Sequence, residues 1–183
     1  VLWGIAIWFI AQRLIMVWAF CKHYKVEPIK KEDLPRVLEI YAHARTFMAE
    51  HGNPNQWKSH KPTIEQIEAD IFKGNSYLCE YGGKIHGVFC FFIDDDPTYK
   101  KIIGEWKCGG RYGVIHRIAS SGEIKGTGSF MMNWAYKQHQ NIRIDTHEEN
   151  YVMRNMLQKL GYEPCGTIFL EDGDPRLAFQ KCK

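Results

Sequence analysis

The spacing of apolar residues along the chain predicts a domain in which helices alternate with short strands. Helical spacing, with a repeat of three to four residues, predicts four helices. They are a first helix from about Lys31 to His51, a second capped by Thr63, a third over 127–140 and a fourth over 150–160. Thr63 and Gln66 have the spacing of a capping box, and Gly161 is typical of a helix C-terminus.

Short apolar stretches bounded by turn residues predict the strands. They are expected at about 24–29, 76–81, 84–93, 112–119, 142–146, 162–170 and 176–180, with a less clear one near 104–107. The dipeptide Gly82-Gly83 predicts a tight hairpin between the second and third strands. This order, without repeats or linkers, predicts one α/β domain.

The first twenty residues differ from the rest, because seventeen of them are hydrophobic. We therefore divide the chain into an apolar N-terminal helix at 1–21 and a domain at 22–183. Three interpretations of the helix stay open: it contacts or spans a membrane, it packs on the domain or a partner, or it reflects only where the chain begins. The basic flank after Phe20 would leave the domain of a spanning chain in the cytoplasm.

Composition and charge exclude several classes of protein. Lys and Arg number 24 and Asp and Glu 21, and no basic stripe is present, so we expect no nucleic-acid partner. Six cysteines lack metal-ligand spacing, which argues against a zinc site and against a dense disulfide framework. Most lie in apolar stretches, so we expect buried free thiols and a cytoplasmic location.

The candidate chemistry lies where a predicted strand leads through a polar loop into a helix. Gly126 and Gly128 open that helix without side chains that would block a ligand. The first amides of a helix lack partners within it, and its dipole adds partial positive charge, so a phosphate group is favoured there. The sequence matches neither a P-loop nor a Rossmann fingerprint.

Together with Asn150 and the ending Leu157-Gln-Lys-Leu-Gly-Tyr162, this segment resembles the GNAT superfamily of acyl-CoA-dependent N-acyltransferases over about residues 24–180. The resemblance implies a single α+β domain with a mixed, mostly antiparallel sheet of about six or seven strands flanked by helices. It also implies acetyl-CoA as the acyl donor, without a metal. The residues that it assigns to coenzyme A are Ile118, Ala119, Lys125, Gly126, Thr127, Gly128, Ser129 and Asn150. For Asn150 a simple helix cap is the alternative.

Two positions depart from the superfamily pattern. Glu123 stands where the pattern has Gln or Arg, and Leu157 stands where many members carry a tyrosine that protonates the leaving thiolate. Solvent or another side chain would have to supply that proton.

Transfer to an amine also needs a base with a pKa near the working pH. Strand alternation places Val114, His116 and Ile118 on one face, so His116 is expected beside the thioester. His147, at the end of its strand, is a second catalytic candidate. The alternatives are a buried, satisfied histidine and a solvated one. Tyr112, Glu148 and Trp57 are candidates for the acceptor pocket.

We therefore predict an N-acetyltransferase that acts directly from acetyl-CoA on a primary amine of a small molecule or peptide, as a monomer or homodimer. The alternative is a catalytically weak acyl-CoA-binding or interaction module, which the departures at Glu123 and Leu157 would explain. The acidic run Asp94–Asp96 is interpreted as a solvated turn, with attraction of a cationic acceptor as its alternative.

Overall fold

A computed structural model describes residues 23–58 and 60–183 of the chain. The predicted N-terminal helix at 1–21 lies outside these residues. Among the described helices, none has both the length and the apolar character needed to cross a bilayer.

The described elements follow the predicted order. The helices are α1 (Leu34–Glu50), α2 (Ile64–Phe72), α3 (Thr127–Gln138) and α4 (Tyr151–Lys159), with short 3-10 turns at Lys31–Asp33 and Pro97–Tyr99. The strands are β1 (Lys25–Pro28), β2 (Ser76–Tyr81), β3 (Lys84–Phe92), β4 (Ile103–Gly104), β5 (Gly113–Ser120), β6 (Asn141–Thr146), β7 (Glu163–Phe169) and β8 (Pro175–Cys182).

Local signals in the sequence explain where several elements begin and turn. The Thr63 hydroxyl accepts the N–H of Gln66, which completes the predicted capping box of α2. Asn150 caps α4 through the N–H of Met153. Gly82 and Gly83 both have positive φ angles, as a tight hairpin turn between β2 and β3 requires.

The strands form one mixed sheet of eight strands in the order β1-β2-β3-β5-β6-β8-β7-β4. Neighbouring strands are antiparallel except β5 and β6, which run parallel. The count of six or seven strands that the resemblance implied was too low. The eighth strand is β4, a two-residue edge strand paired with β7, which the sequence indicated only as a less clear strand near 104–107 because two residues are too short to show a period.

The core lies on both faces of the sheet. One cluster joins the sheet to α3 and α4 through residues such as Phe89, Ile115, Met131 and Leu157. A second joins it to α1 and α2. The helices pack on the two faces of the sheet, and the neighbouring strands β5 and β6 lie at its centre.

One feature of the cysteines differs from the expectation. Cys79, Cys90 and Cys165 are buried free thiols, as predicted. Cys108 and Cys182 instead form a disulfide that joins the segment before β5 to the end of β8. Because the two cysteines are 74 residues apart, local spacing in the sequence could not predict this disulfide.

Candidate functional site

The parallel strands β5 and β6 part soon after they begin to pair. Gly113 pairs with Ile142 and Val114 with Arg143, and the described strands have no later pair although β5 continues to Ser120. The facing edges of the two strands beyond this point therefore have backbone groups without a partner strand. Such edges can hydrogen-bond an extended ligand that inserts as an added strand.

A β-bulge in β5 changes which side chains face this opening. Val88 pairs with Ala119 and Cys90 with His116, so Arg117 and Ile118 together oppose the single residue Phe89. The φ angle of Arg117 is 50°, in the left-handed region. The chain holds this conformation because the Tyr41 hydroxyl donates to the Arg117 carbonyl at 3.0 Å and Arg117 Nε donates to Asp70 Oδ2 at 2.6 Å.

The bulge makes the predicted grouping of Val114, His116 and Ile118 wrong. Beyond the bulge the alternation is shifted by one residue, so Ile118 packs against the cluster under α3 and α4. Ala119 packs with α1 and α2 instead. His116 keeps the face that was predicted for it.

A cavity of about 1130 Å³ lies at the opening between β5 and β6. Four of the candidate catalytic, coenzyme-binding and acceptor-pocket residues line it, namely Trp57, His116, Ile118 and Asn150, and so does the acidic run Asp94–Asp96. Tyr112 is buried away from it, and Glu148 is exposed and outside its lining.

His116 lies between two carboxylates inside this cavity. Its Nε2 atom is 2.7 Å from Oδ2 of Asp96, and its Nδ1 atom is 3.8 Å from Oδ1 of Asp145. The Tyr99 hydroxyl donates to the same Asp145 oxygen at 2.8 Å. The imidazole is therefore held in one orientation by Asp96 while its other nitrogen stays close to, but not bonded with, Asp145.

The surroundings of the Asp96 carboxyl keep it ionised. Burial acts to raise its pKa, but the hydrogen bond and charge of His116, together with hydrogen bonds from Thr98, lower the pKa to about 2. Tyr99 behaves oppositely: burial and the nearby Asp145 carboxylate raise its pKa well above the usual value. Asp96 is thus ionised and Tyr99 protonated at neutral pH.

His147 lies in a different environment. Its Nδ1 atom accepts the N–H of Glu149 at 3.3 Å and lies 3.5 Å from a carboxylate oxygen of the same residue. His147 is not among the cavity-lining residues. The structure therefore brings only one of the two catalytic candidates into the cavity.

The segment from Lys125 to Ser129 forms a helix start with free space above it. Gly126 is the N-cap of α3 with a φ angle of 89°, and no side chain caps the helix. A Cβ atom at Gly126 would meet nothing within 4 Å, whereas one at Gly128 would lie 3.1 Å from Met156 Sδ. The loop is anchored by Tyr24, whose hydroxyl contacts the Lys125 carbonyl and the Thr127 hydroxyl.

These features fit the pyrophosphate of a coenzyme. An uncapped helix start offers amide donors and a positive dipole end, and the left-handed glycine leaves room for the oxygens.

The two positions that depart from the superfamily pattern have clear surroundings. The Glu123 carboxylate lies 2.7 Å from the Arg36 guanidinium and 3.5 Å from His86, and the Arg36 hydrogen bond lowers the pKa of Glu123. Leu157 is fully buried in the core. Its position therefore contributes packing, and no hydroxyl is available there.

Asn150 has both interactions of a structural cap. Its Oδ1 atom accepts the Met153 N–H at 3.0 Å, and its Nδ2 atom donates to Gln56 at 2.9 Å. Gln56 also accepts from Thr146 and Asn53, which ties the loop after α1 to the ends of β6 and α4. Asn150 lines the cavity while serving as the helix cap, so the two interpretations of it are compatible.

Three members of this site, Asp96, Asp145 and Tyr99, were not among the catalytic or coenzyme-binding residues predicted from the sequence. Asp94 and Asp95 are exposed, as expected of a solvated turn, but Asp96 is buried against His116. The interpretation of Asp96 as solvated was wrong because a partner 20 residues away removes its carboxylate from water. Asp145 could have been predicted from the sequence, because alternation along its strand places its side chain on the face opposite to that of the buried Ile144.

No group of three or more His, Cys, Asp or Glu side chains in the described ranges 23–58 and 60–183 is arranged to hold a metal ion.

Comparison with solved structures identifies relatives of this fold. A GNAT-family acetyltransferase from Streptococcus agalactiae superposes with a TM-score of 0.79 at 28% identity, over 87% of this chain and 95% of that one. A GNAT-family acetyltransferase from Listeria monocytogenes has a TM-score of 0.62 at 20% identity, over 86% and 94% of the two chains. A ribosomal-protein-alanine N-acetyltransferase from Brucella melitensis has a TM-score of 0.57 at 15% identity, over 87% and 99%. No protein-family model and no curated protein sequence matches the chain.

Proposed function

We propose that this chain, which has the fold of the GNAT acetyltransferases, transfers the acetyl group of acetyl-CoA directly to a primary amine. The observation that carries the proposal is the position of His116, paired with Asp96, in the cavity where β5 and β6 part. A base at that point would face both the thioester and the incoming amine.

Acetyl-CoA is proposed to lie along the opening between the two strands. Backbone amides of residues 125–129 would hold the pyrophosphate, as the uncapped start of α3 supports. The pantetheine arm would pair with the free edge of β5 near Ile118 and Ala119, and Asn150 would contact it from the start of α4. The thioester would then lie in the cavity.

His116 is proposed to act as the general base. Donation of its Nε2–H to Asp96 fixes the neutral tautomer and leaves the Nδ1 lone pair to accept a proton from the amine, directly or through water. The amine nitrogen then attacks the thioester carbonyl carbon, a C–N bond forms and the C–S bond breaks. His147 is the weaker candidate for this role because it lies outside the cavity lining.

The leaving thiolate is proposed to take its proton from solvent. Leu157 offers no acid, and the pKa of a thiol is about 8.5, so a thiolate leaves and is protonated without a strong acid. A missing general acid costs a rate factor of about 10² or more. We therefore expect a working but moderate enzyme.

The test is thiol release from acetyl-CoA by the purified full chain, with a panel of primary amines and peptides and with mass analysis of the product. The proposal expects an acceptor-dependent thiol signal and a product heavier by one acetyl group. His116→Gln is expected to remove the signal while leaving acetyl-CoA binding intact. Binding without turnover of any acceptor would favour the alternative, a catalytically weak acyl-CoA-binding module.

A further inference from the structure

The cavity is lined by more carboxylates than lysine and arginine side chains. Its acidic lining residues are Asp70, Asp94, Asp95, Asp96, Asp145, Glu171 and Asp172, and its cationic ones are Lys61, Lys73, Arg117 and Arg176. The cavity, the parted strands and His116 define the site without reference to these charges. The charges bear on which acceptor the site takes.

Most of the lining cations are already neutralised by carboxylates. Arg117 lies 2.6 Å from Asp70, Lys61 lies 3.4 Å from Asp172 and Arg176 lies 3.0 Å from Asp174. Of the lysine and arginine side chains described in the lining, Lys73 alone has no ion pair. A carboxylate on the acceptor would therefore find few free cations in this cavity.

Several lining carboxylates form no ion pair with a lysine or arginine side chain within the described ranges. Asp145 binds only the neutral Tyr99 hydroxyl and lies just beyond hydrogen-bond distance of His116. Asp94, Asp95 and Glu171 are exposed at the mouth of the cavity. Carboxylates without a lysine or arginine ion pair are thus present at two depths: beside the reacting centre and at the entrance.

We propose that the acceptor is a polycationic small molecule: a primary amine that carries a second positively charged group and no carboxylate. This inference rests on the proposed function. Asp145, opposite His116, would hold the ammonium group that is to be deprotonated. The carboxylates of Asp94, Asp95 and Glu171 would attract the second cation at the entrance.

Two physical effects support this choice. Hydrogen bonds between an ammonium group and a carboxylate are stronger than neutral ones, most of all where solvent is partly excluded, as at Asp145, whose side chain is 12% exposed. Carboxylates at a cavity mouth also concentrate cations and speed their entry, an effect that salt weakens.

The test compares acceptors that differ only in the remote group. The full chain is assayed by thiol release with diamines of three to five carbons, each matched with the amino alcohol and the amino acid of the same length. We expect kcat/KM for the best diamine to exceed that of its amino alcohol by about tenfold, and the amino acid to be the poorest acceptor. The diamine advantage should shrink as salt rises.

A pair of double variants locates the effect. Asp94→Asn/Asp95→Asn is expected to reduce the diamine advantage to less than threefold, because kcat/KM should fall more for the doubly charged diamine than for the singly charged amino alcohol. Glu50→Gln/Glu68→Gln removes the same charge from exposed positions outside the cavity lining and is expected to change neither.

Failure of the inference can be distinguished from failure of the proposed function. Equal kcat/KM values for the three acceptors, or a preference for the amino acid, would overturn the inference and leave the acetyltransferase intact. If no acceptor causes thiol release from acetyl-CoA, the proposed function fails. Calorimetric titration of the same three acceptors then tests whether the cavity prefers a polycationic ligand. Tighter binding of the diamine would support the inference, and equal or absent binding would overturn it.

Discussion

The Nε2 atom of His116 lies 2.7 Å from Oδ2 of Asp96, although His116 lies within β5 and Asp96 lies in the turn after β3, 20 residues away along the chain. His116 projects from β5 into the cavity, and Asp96 follows β3 and carries hydrogen bonds from Thr98 as well. This pair orients the imidazole and leaves its Nδ1 atom toward the interior. The first two predictions depend on this pair.

The first prediction concerns the rate. His116→Gln keeps a polar side chain but removes the base, so kcat/KM for the amine should fall by about 10²- to 10⁴-fold. Acetyl-CoA affinity, measured by calorimetry, should change less than threefold because the proposed contacts with the coenzyme are elsewhere. His147→Gln is the control and should retain most of the activity. Equal losses in both variants would contradict the role of His116.

The second prediction concerns stability at acid pH. The pKa of Asp96 is about 2 in the folded protein and near 3.9 in an unfolded chain, so ionised Asp96 stabilises the fold above pH 4. This contribution, about 2 kcal/mol, should be lost as the pH falls from 4 toward 2. Urea unfolding over this range should show a flatter pH dependence in Asp96→Asn than in the wild type.

The control for this measurement is Asp95→Asn, which alters an exposed neighbouring carboxyl without an ion pair in the described part of the chain. Its pH dependence should match that of the wild type. If the free energy of unfolding of Asp96→Asn depends on pH as steeply as that of the wild type, Asp96 is not the source of the pH dependence.

The third prediction concerns Glu123, which precedes the proposed pyrophosphate site. Glu123→Gln removes a negative charge and restores a residue type of the superfamily pattern, so acetyl-CoA should bind roughly two- to fivefold more tightly. Glu39→Gln is a matched control, because Glu39 also pairs with Arg36, at 3.0 Å, but lies on α1 outside the loop. The Glu39→Gln variant should bind acetyl-CoA with the affinity of the wild type. Weaker binding by Glu123→Gln would mean that the carboxylate supports the loop conformation.

The fourth prediction concerns the disulfide between Cys108 and Cys182. Closing a long loop restricts the unfolded chain, so Cys108→Ser should lower the free energy of unfolding by about 2–4 kcal/mol. Acetyl-CoA affinity should be unaffected. Mass analysis without reductant should find one disulfide, with Cys79 and Cys90 slow to alkylate because burial raises the pKa of each thiol to about 12. Free Cys108 in the untreated protein would contradict this.

The parts of this fold that were predictable from sequence are those determined locally. The Thr63 capping box, the Asn150 cap and the Gly82-Gly83 hairpin each depend on residues within a few positions of one another. The glycine loop before α3 was found for the same reason.

The parts that were missed depend on contacts between distant segments. The bulge at Arg117 requires Tyr41 and Asp70, which hold its backbone and side chain from α1 and α2. The burial of Asp96 requires His116, and the shift of Ile118 to the other face follows from the bulge. Alternation along a strand cannot reveal a register shift that a partner imposes.

Acetyl-CoA binding at the start of α3 is the claim on which the remaining chemistry depends, and Ser129 tests it most directly. A glutamate at this third helical position would favour the helix dipole and maintain stability, but its charge would repel a pyrophosphate. Calorimetric titration of acetyl-CoA should show saturable binding to the wild type and to Ser129→Gln, and at least tenfold weaker binding to Ser129→Glu at unchanged thermal stability. Absence of binding to the wild type, or equal affinity of all three proteins, would contradict the account.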